Sequence, residues 1–144
     1  MGRIVVGVDG SRDGERALHW AIDEARLRGT DLELVQAAPP AGMLDAVTAR
    51  SSREELEESA EHLLNQILEE VVLARVDTED LVVHRTVRSG AAAEVLCDAA
   101  RGADLLVVGA RGHGGFRGLL LGSVAYQVVS HAPCPVVVVV PEDR

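Results

Sequence analysis

Five short apolar runs alternate along the chain with longer segments whose apolar residues recur at helical spacing. The runs are rich in Val, Ile and Leu, as in strands buried on both faces of a sheet. They cover residues 3–9, 31–37, 81–87, 103–108 and 135–140. This alternation predicts a single α/β domain over residues 1–144, with a five-stranded parallel sheet, helices on both faces and right-handed crossovers.

The segments between the runs predict four helices. These begin near Glu15, Ser51, Ser89 and Val124. The first is expected to end at Gly29, and the second opens with two overlapping capping boxes, Ser51-x-x-Glu54 and Ser52-x-x-Glu55. The buried stripe of the second helix is predicted to contain Leu56, Ala60, Leu63, Ile67 and Val71. His84 is expected to pack along the third strand.

Composition excludes several classes of protein. A hydrophobic content of 47% supplies a core without disulfides or metals, so Cys97 and Cys134 are interpreted as reduced, buried core residues. A net charge of −9 argues against a nucleic-acid surface. No apolar run is long enough to cross a bilayer, and no cationic, apolar leader opens the sequence. We therefore expect a cytoplasmic protein with no membrane or nucleic-acid partner.

The chain contains no lysine, and all 14 of its Lys and Arg positions are arginine. A Walker-type loop, a Schiff base and a receiver domain all require a lysine and are excluded. Basic residues are also unevenly placed. No acid lies between Asp104 and Glu142, and this window carries Arg111, His113 and Arg117. An anion would meet the least repulsive surface of the molecule there.

A glycine-rich segment follows the fourth strand, with the spacing Gly109-x2-Gly112-x9-Gly122-Ser123. A strand, a glycine loop and a helix start in this order let backbone amides face an anion. Gly109 is expected to permit a sharp turn off the strand, and Gly112 to let a phosphate approach the backbone.

Asp9, at the end of the first strand, has two interpretations: it caps a turn, or it accepts hydrogen bonds from a ligand. It shares a site with Gly109 only if the first and fourth strands are neighbours. The site hypothesis therefore predicts the strand order 3-2-1-4-5 rather than the flavodoxin-like order 2-1-3-4-5.

The spacing G-x2-G-x9-G-[ST] resembles the nucleotide-binding signature of ATP-binding members of the universal stress protein family. The segments IVVGVDGS and GARGHGGFRGLLLGSVAYQVVSHAPCPVVVV extend the resemblance over essentially the whole chain. It implies a Rossmann-like fold of the adenine nucleotide alpha hydrolase-like type, and ATP with Mg²⁺ held by its phosphates. It also implies a homodimer through the last strand, which begins near Val136 and ends at Val140. That valine run would otherwise be an uncovered sheet edge.

The resemblance also implies where each part of the nucleotide lies. Asp9 falls near adenine and ribose, and Ala37 lines the adenine pocket, where the family often has a larger valine. At the preceding position, Gln36 stands where members of the family often have a histidine. Arg111 supplies an extra phosphate contact. The implied binding residues are Gly7, Val8, Asp9, Ala37, Val108, Gly109, Arg111, Gly112, Gly122, Ser123 and Val124.

These observations predict a nucleotide-dependent regulatory or stress-response protein that acts on an unidentified protein. One alternative is a slow ATP hydrolase or phosphotransferase, for which Asp9, Arg111, His113 and Arg117 are candidates without a diagnostic spacing. Another is a binding module for AMP or cyclic AMP. No residue is assigned a catalytic role, and no metal-ligating set is assigned.

Overall fold

The computed structural model describes residues 2–39, 53–112 and 120–142. Its strands and helices alternate as predicted. They are β1 (Arg3–Gly7), α1 (Arg12–Arg28), β2 (Asp31–Ala38), α2 (Arg53–Ile67) with a π-helical turn (Leu68–Val72), β3 (Val83–Ser89), α3 (Ala92–Ala99), β4 (Leu105–Gly109), α4 (Ser123–His131) and β5 (Val136–Val139). The predicted caps Ser51 and Ser52 lie outside the described residues.

The strands form one parallel sheet in the order β3-β2-β1-β4-β5, which confirms the predicted topology. Ile4 of β1 is aligned with Leu32 of β2 on one side and with Leu105 of β4 on the other. The carboxyl ends of β1 and β4 therefore meet at the same edge of the sheet. This is the switch point at which ligands bind in open α/β sheets.

Two apolar layers cover the sheet, one on each face. Ile4 and Val6 of β1 point toward α1 and α2, and Val5 points toward α3 and α4. This alternation follows from the two-residue period of a strand, and burial on both faces explains the unbroken apolar runs. Among the described helices, none is long and apolar enough to cross a membrane.

Helix α1 begins one turn earlier than predicted. The Ser11 Oγ accepts a hydrogen bond from the Gly14 amide at 3.0 Å and caps the helix. At the other end, Gly29 has a φ of 65° and its amide donates to the carbonyls of Ala25 and Arg26. The predicted role of Gly29 is confirmed, because the left-handed conformation favours glycine.

The buried stripe of α2 was predicted only in part. Ala60 and Val71 are buried, but Leu64, the most deeply buried residue of α2, was not predicted. Helix α2 ends in the π-helical turn, in which the Leu73 amide donates to the Leu68 carbonyl at 2.9 Å. The extra residue in this turn carries both Val71 and Val72 into the core. The remaining predicted residues, Leu56, Leu63 and Ile67, are half-buried.

Two further expectations are wrong. The His84 side chain is 54% exposed, with Nε2 3.0 Å from Asp31 Oδ2, because β3 is an edge strand. Cys97 and Cys134 are free thiols but only half-buried, packed against the core on the α3–α4 side of the sheet. Burial raises the pKa of the Cys97 thiol, with a smaller contribution from Asp98. Burial also raises the pKa of Cys134, with a smaller contribution from Cys97.

Candidate functional site

A cavity of about 500 Å³ opens at the carboxyl edge of the sheet, between the ends of β1 and β4. The structure brings all eleven residues singled out from the sequence to its walls. They are Gly7, Val8, Asp9, Ala37, Val108, Gly109, Arg111, Gly112, Gly122, Ser123 and Val124. Sequence reasoning did not assign to it the other lining residues, which are Ser11, Gly14, Val35, Gln36, Pro39, Ala92, Leu96 and Ala125.

Asp9 forms a tight turn at the entrance to α1. Its Oδ1 accepts hydrogen bonds from the Ser11 amide at 2.9 Å and from the Ser11 hydroxyl at 2.5 Å. Ser11 in turn caps α1. The capping interpretation of Asp9 is therefore correct, and the same side chain also lines the cavity. The turn fixes the orientation of the carboxylate relative to the cavity.

Two glycines enclose the Asp9 carboxylate. A Cβ at residue 112 would lie 2.6 Å from Asp9 Oδ2, and a Cβ at residue 14 would lie 2.8 Å from Asp9 Oδ1. Both distances are shorter than non-bonded contacts allow. A side chain at residue 112 would therefore displace the Asp9 carboxylate or the loop backbone, whatever the cavity binds.

Gly109 lies where the chain leaves β4, and the backbone bends at the next residue, Ala110, as expected. Gly109 is the last residue of β4, and its φ is not among the positive values found at four described glycines. A Cβ at this position would instead lie 2.6 Å from the Asp13 carbonyl carbon and 2.7 Å from its oxygen. Glycine is needed here because the first turn of α1 lies directly on the end of β4.

Asp13, on that first turn, contacts the glycine loop and was missed by sequence reasoning. Its side chain is buried, with 9% of the residue exposed. Oδ2 accepts a hydrogen bond from the Arg111 amide at 3.0 Å and lies 3.7 Å from Arg111 Nε. Oδ1 accepts a hydrogen bond from Arg16 at 3.0 Å. An acid in the first turn of a helix is common, so the sequence contains no signal for this contact.

The N-terminus of α4 forms the wall opposite α1. The Gly122 amide donates to the Ala110 carbonyl at 2.7 Å, and the first helical bond runs from the Tyr126 amide to the Gly122 carbonyl. The amides of Ser123, Val124 and Ala125 precede that bond, so the helix itself offers them no acceptor. With the helix dipole behind them, these amides suit an anionic group.

The wall beneath the end of β2 is mainly apolar. It is formed by Val35, Ala37 and Pro39, together with Leu96 of α3. Gln36, which is 8% exposed, donates from Nε2 to the Ala37 carbonyl at 3.3 Å. Its Oε1 has no hydrogen-bond partner among the residues the structure describes. The cavity thus has an apolar side and a side made of backbone amides, with one carboxylate at its mouth.

Two of the four candidates for ATP hydrolysis lie at the cavity. Asp9 and Arg111 line the cavity, whereas the other two candidates for ATP hydrolysis, His113 and Arg117, lie outside the described residues. Across residues 2–39, 53–112 and 120–142, no three His, Cys, Asp or Glu side chains are grouped to hold a metal ion. The described donors suit binding of a ligand with an apolar part and an anionic part.

Comparison with known proteins gives the family. The universal stress protein family model matches residues 1–140. A universal stress protein of Mycobacterium tuberculosis is 35% identical over 142 residues. This match covers 97% of the chain but only 48% of the relative, so the chain spans about half the length of the curated relatives it matches.

Solved structures of the same family share the fold. The universal stress protein UspA from Lactobacillus plantarum superposes with a TM-score of 0.81 at 23% identity, covering 96% of this chain and 97% of that one. A universal stress protein in complex with cAMP has a TM-score of 0.73 at 26% identity, covering 96% of both chains. One from Archaeoglobus fulgidus in complex with dAMP has a TM-score of 0.68 at 26% identity, covering 96% and 97%. The chain therefore belongs to the universal stress protein family.

Proposed function

We propose that this chain binds an adenine nucleotide in the cavity between β1, β4 and α4. The observation that carries the proposal is the meeting of three features in one cavity: the Asp9 carboxylate, the glycine loop after β4 and the first-turn amides of α4. The structures of relatives with cAMP and dAMP support it, because both ligands combine adenine with a phosphate.

The two chemically different sides of the cavity suggest how the nucleotide lies. Adenine packs against the apolar wall that contains Ala37, Pro39 and Leu96. Asp9 accepts hydrogen bonds from the ribose hydroxyls. The phosphates point toward Gly112 and Gly122, where they accept hydrogen bonds from the amides of Ser123 and Val124. Val108 and Gly109 line the ribose side, and Gly7 and Val8 form the floor.

ATP is the ligand that we favour, with Mg²⁺ coordinated by its phosphates. Arg111 lines the cavity together with the first turn of α4, and its positive charge can bind an additional phosphate group. A nucleotide monophosphate is the second candidate, because the relatives with cAMP and dAMP hold ligands with a single phosphorus.

We further propose that the protein acts as a homodimer that regulates another protein. β5 is an edge strand of the sheet, its four valines are only half-buried, and Val140 beyond it is 46% exposed. Tyr126 and Val129 on the adjacent helix α4 are also exposed. A second copy paired along this edge would cover both the strand and the apolar side chains.

Titration calorimetry of the purified chain with ATP, ADP, AMP and cyclic AMP in the presence of Mg²⁺ tests the proposal. We expect ATP to bind most tightly. Tighter binding of AMP or cyclic AMP would assign the monophosphate alternative, and no binding of any of the four would refute nucleotide binding. Native mass spectrometry of the protein as isolated provides an independent check, with an adenine nucleotide expected to co-purify.

A further inference from the structure

We infer that Asp13 is a positioning residue for the nucleotide site, because it anchors the glycine loop to the first turn of α1. The inference rests on the proposed nucleotide binding. Asp13 acts from behind the loop, through the backbone of Arg111, and not through the ligand. The two residues are 98 positions apart in the sequence, so their contact joins distant parts of the chain.

The two oxygens of the Asp13 carboxylate have separate partners. Oδ2 accepts a hydrogen bond from the Arg111 amide at 3.0 Å, whereas Oδ1 accepts one from the Arg16 guanidinium at 3.0 Å. The carboxylate is buried, and a hydrogen bond from an amide to a buried charged acceptor is stronger than one between neutral groups. The Arg111 side chain also lies beside it, with Nε 3.7 Å from Oδ2. Asp13 therefore holds Arg111 by the backbone and directs its guanidinium.

Arg111 and its neighbour Ala110 in turn contact Gly122, the residue before the first-turn amides of α4. A Cβ at residue 122 would lie 3.3 Å from Arg111 Cα, so the start of α4 packs tightly against the loop. The Gly122 amide also donates to the Ala110 carbonyl at 2.7 Å. A continuous series of contacts therefore runs from α1 through Asp13 and Arg111 to Gly122, directly before the amides that face the phosphates. Without Asp13, the ligand would have to fix the backbone of Arg111 as it binds, and that entropy cost would weaken affinity.

The anchor predicts different effects for three substitutions in the full chain. Asp13→Ala removes the acceptor of the Arg111 amide and is expected to weaken ATP binding about tenfold. Asp13→Asn keeps one side-chain oxygen for that amide, so its affinity should stay within about threefold of wild type. Arg16→Ala removes the other partner of Asp13 without touching the loop. It should leave the affinity unchanged and therefore serves as the matched control.

Two measurements test the inference: calorimetric titration with Mg²⁺ and ATP, and hydrogen exchange at the Arg111 amide in the ligand-free protein. We expect slow exchange in wild type and Asp13→Asn, and fast exchange in Asp13→Ala. If Asp13→Ala does not fold, Asp13→Glu replaces it, because the longer side chain keeps the charge but displaces the acceptor. Wild-type affinity in the folded Ala or Glu variant, or an equal loss in Arg16→Ala, would overturn the anchor. If wild type itself binds no nucleotide, the proposed function fails, and the exchange measurement still decides whether Asp13 holds the loop.

Discussion

The Asp9 carboxylate lies directly against the backbone of Gly112, so that a Cβ at residue 112 would stand 2.6 Å from Asp9 Oδ2. The two residues follow different strands, β1 and β4, which are adjacent in the sheet with Val6 aligned to Val107. Their contact brings the carboxylate at the mouth of the cavity together with the glycine loop. A change at either residue should therefore disturb the other.

Gly112→Ala is predicted to weaken nucleotide binding. The new methyl group would force the Asp9 carboxylate or the loop to move, and we expect a loss of affinity of about tenfold. Gly29→Ala is the matched control, since residue 29 has a φ of 65° and no atom within 4 Å of a new Cβ. The control should lose about 1 kcal/mol of stability with no change in affinity. Calorimetric titration of both variants with ATP measures the two affinities. Equal affinities of Gly112→Ala and Gly29→Ala for ATP would contradict the prediction.

Arg75→Ala is predicted to destabilise the protein away from the site. Arg75 donates to Asp77 at 2.8 and 2.9 Å and to Asp23 at 2.5 Å, and these contacts join the loop after α2 to α1. We expect the melting temperature to fall by about 5 °C. In contrast, Arg28→Ala, which removes an exposed pair with Glu24, should lower it by about 1 °C or less. Similar losses in the two variants would refute the role of the cluster.

The same cluster predicts a dependence on pH. The hydrogen bond from Arg75 lowers the pKa of Asp77 from its ordinary value of 3.8. A lowered carboxyl pKa stabilises the folded state above pH 3.8, and this contribution is lost as the pH falls through the folded-state pKa. The stability difference between wild type and Arg75→Ala should therefore be constant near neutral pH and shrink below pH 3.8. Urea unfolding across this range measures it, and a difference that grows in acid would contradict the prediction.

The two thiols are predicted to react slowly at neutral pH. Burial raises the pKa of both Cys97 and Cys134 above the ordinary value of 9.0, so little of the reactive thiolate is present at pH 7. Alkylation by iodoacetamide, followed by mass spectrometry, should be slower at both residues than for free cysteine and should accelerate above pH 9. Modification at pH 7 as fast as that of free cysteine would show that the thiols are activated.

The proposed dimer predicts an effect of charge at the β5 edge. Val140→Asp would place a carboxylate in an apolar interface and should shift the protein toward the monomer. Leu27→Asp changes an apolar residue that is 82% exposed on α1, and it should leave the association state unchanged. Sedimentation velocity distinguishes the two variants. A wild-type protein that remains monomeric at high concentration would refute the dimer itself.

Much of the fold can be predicted from the sequence because its signals are local. Apolar runs identify strands, and the requirement that Asp9 and Gly109 share a site predicts the order 3-2-1-4-5, which the sheet has. Contacts between distant residues leave no such signal. Asp13 meets Arg111 across 98 positions. The α1 backbone explains the glycine at 109, and the π-helical turn after α2 accompanies the burial of both Val71 and Val72.

Titration of ATP with Mg²⁺ into wild type and Gly122→Val tests most directly whether the cavity binds nucleotide through its glycine loop and α4. Residue 122 has an extended conformation that valine tolerates, with a φ of −74° and a ψ of 172°, but its Cβ would lie 3.3 Å from Arg111 Cα, so the backbone at Arg111 has to shift slightly in the folded variant. Its side chain would occupy the space between the loop and the amides of α4. We predict binding to wild type and no detectable binding to the folded variant. Unchanged affinity in a folded Gly122→Val protein would contradict nucleotide binding at this site.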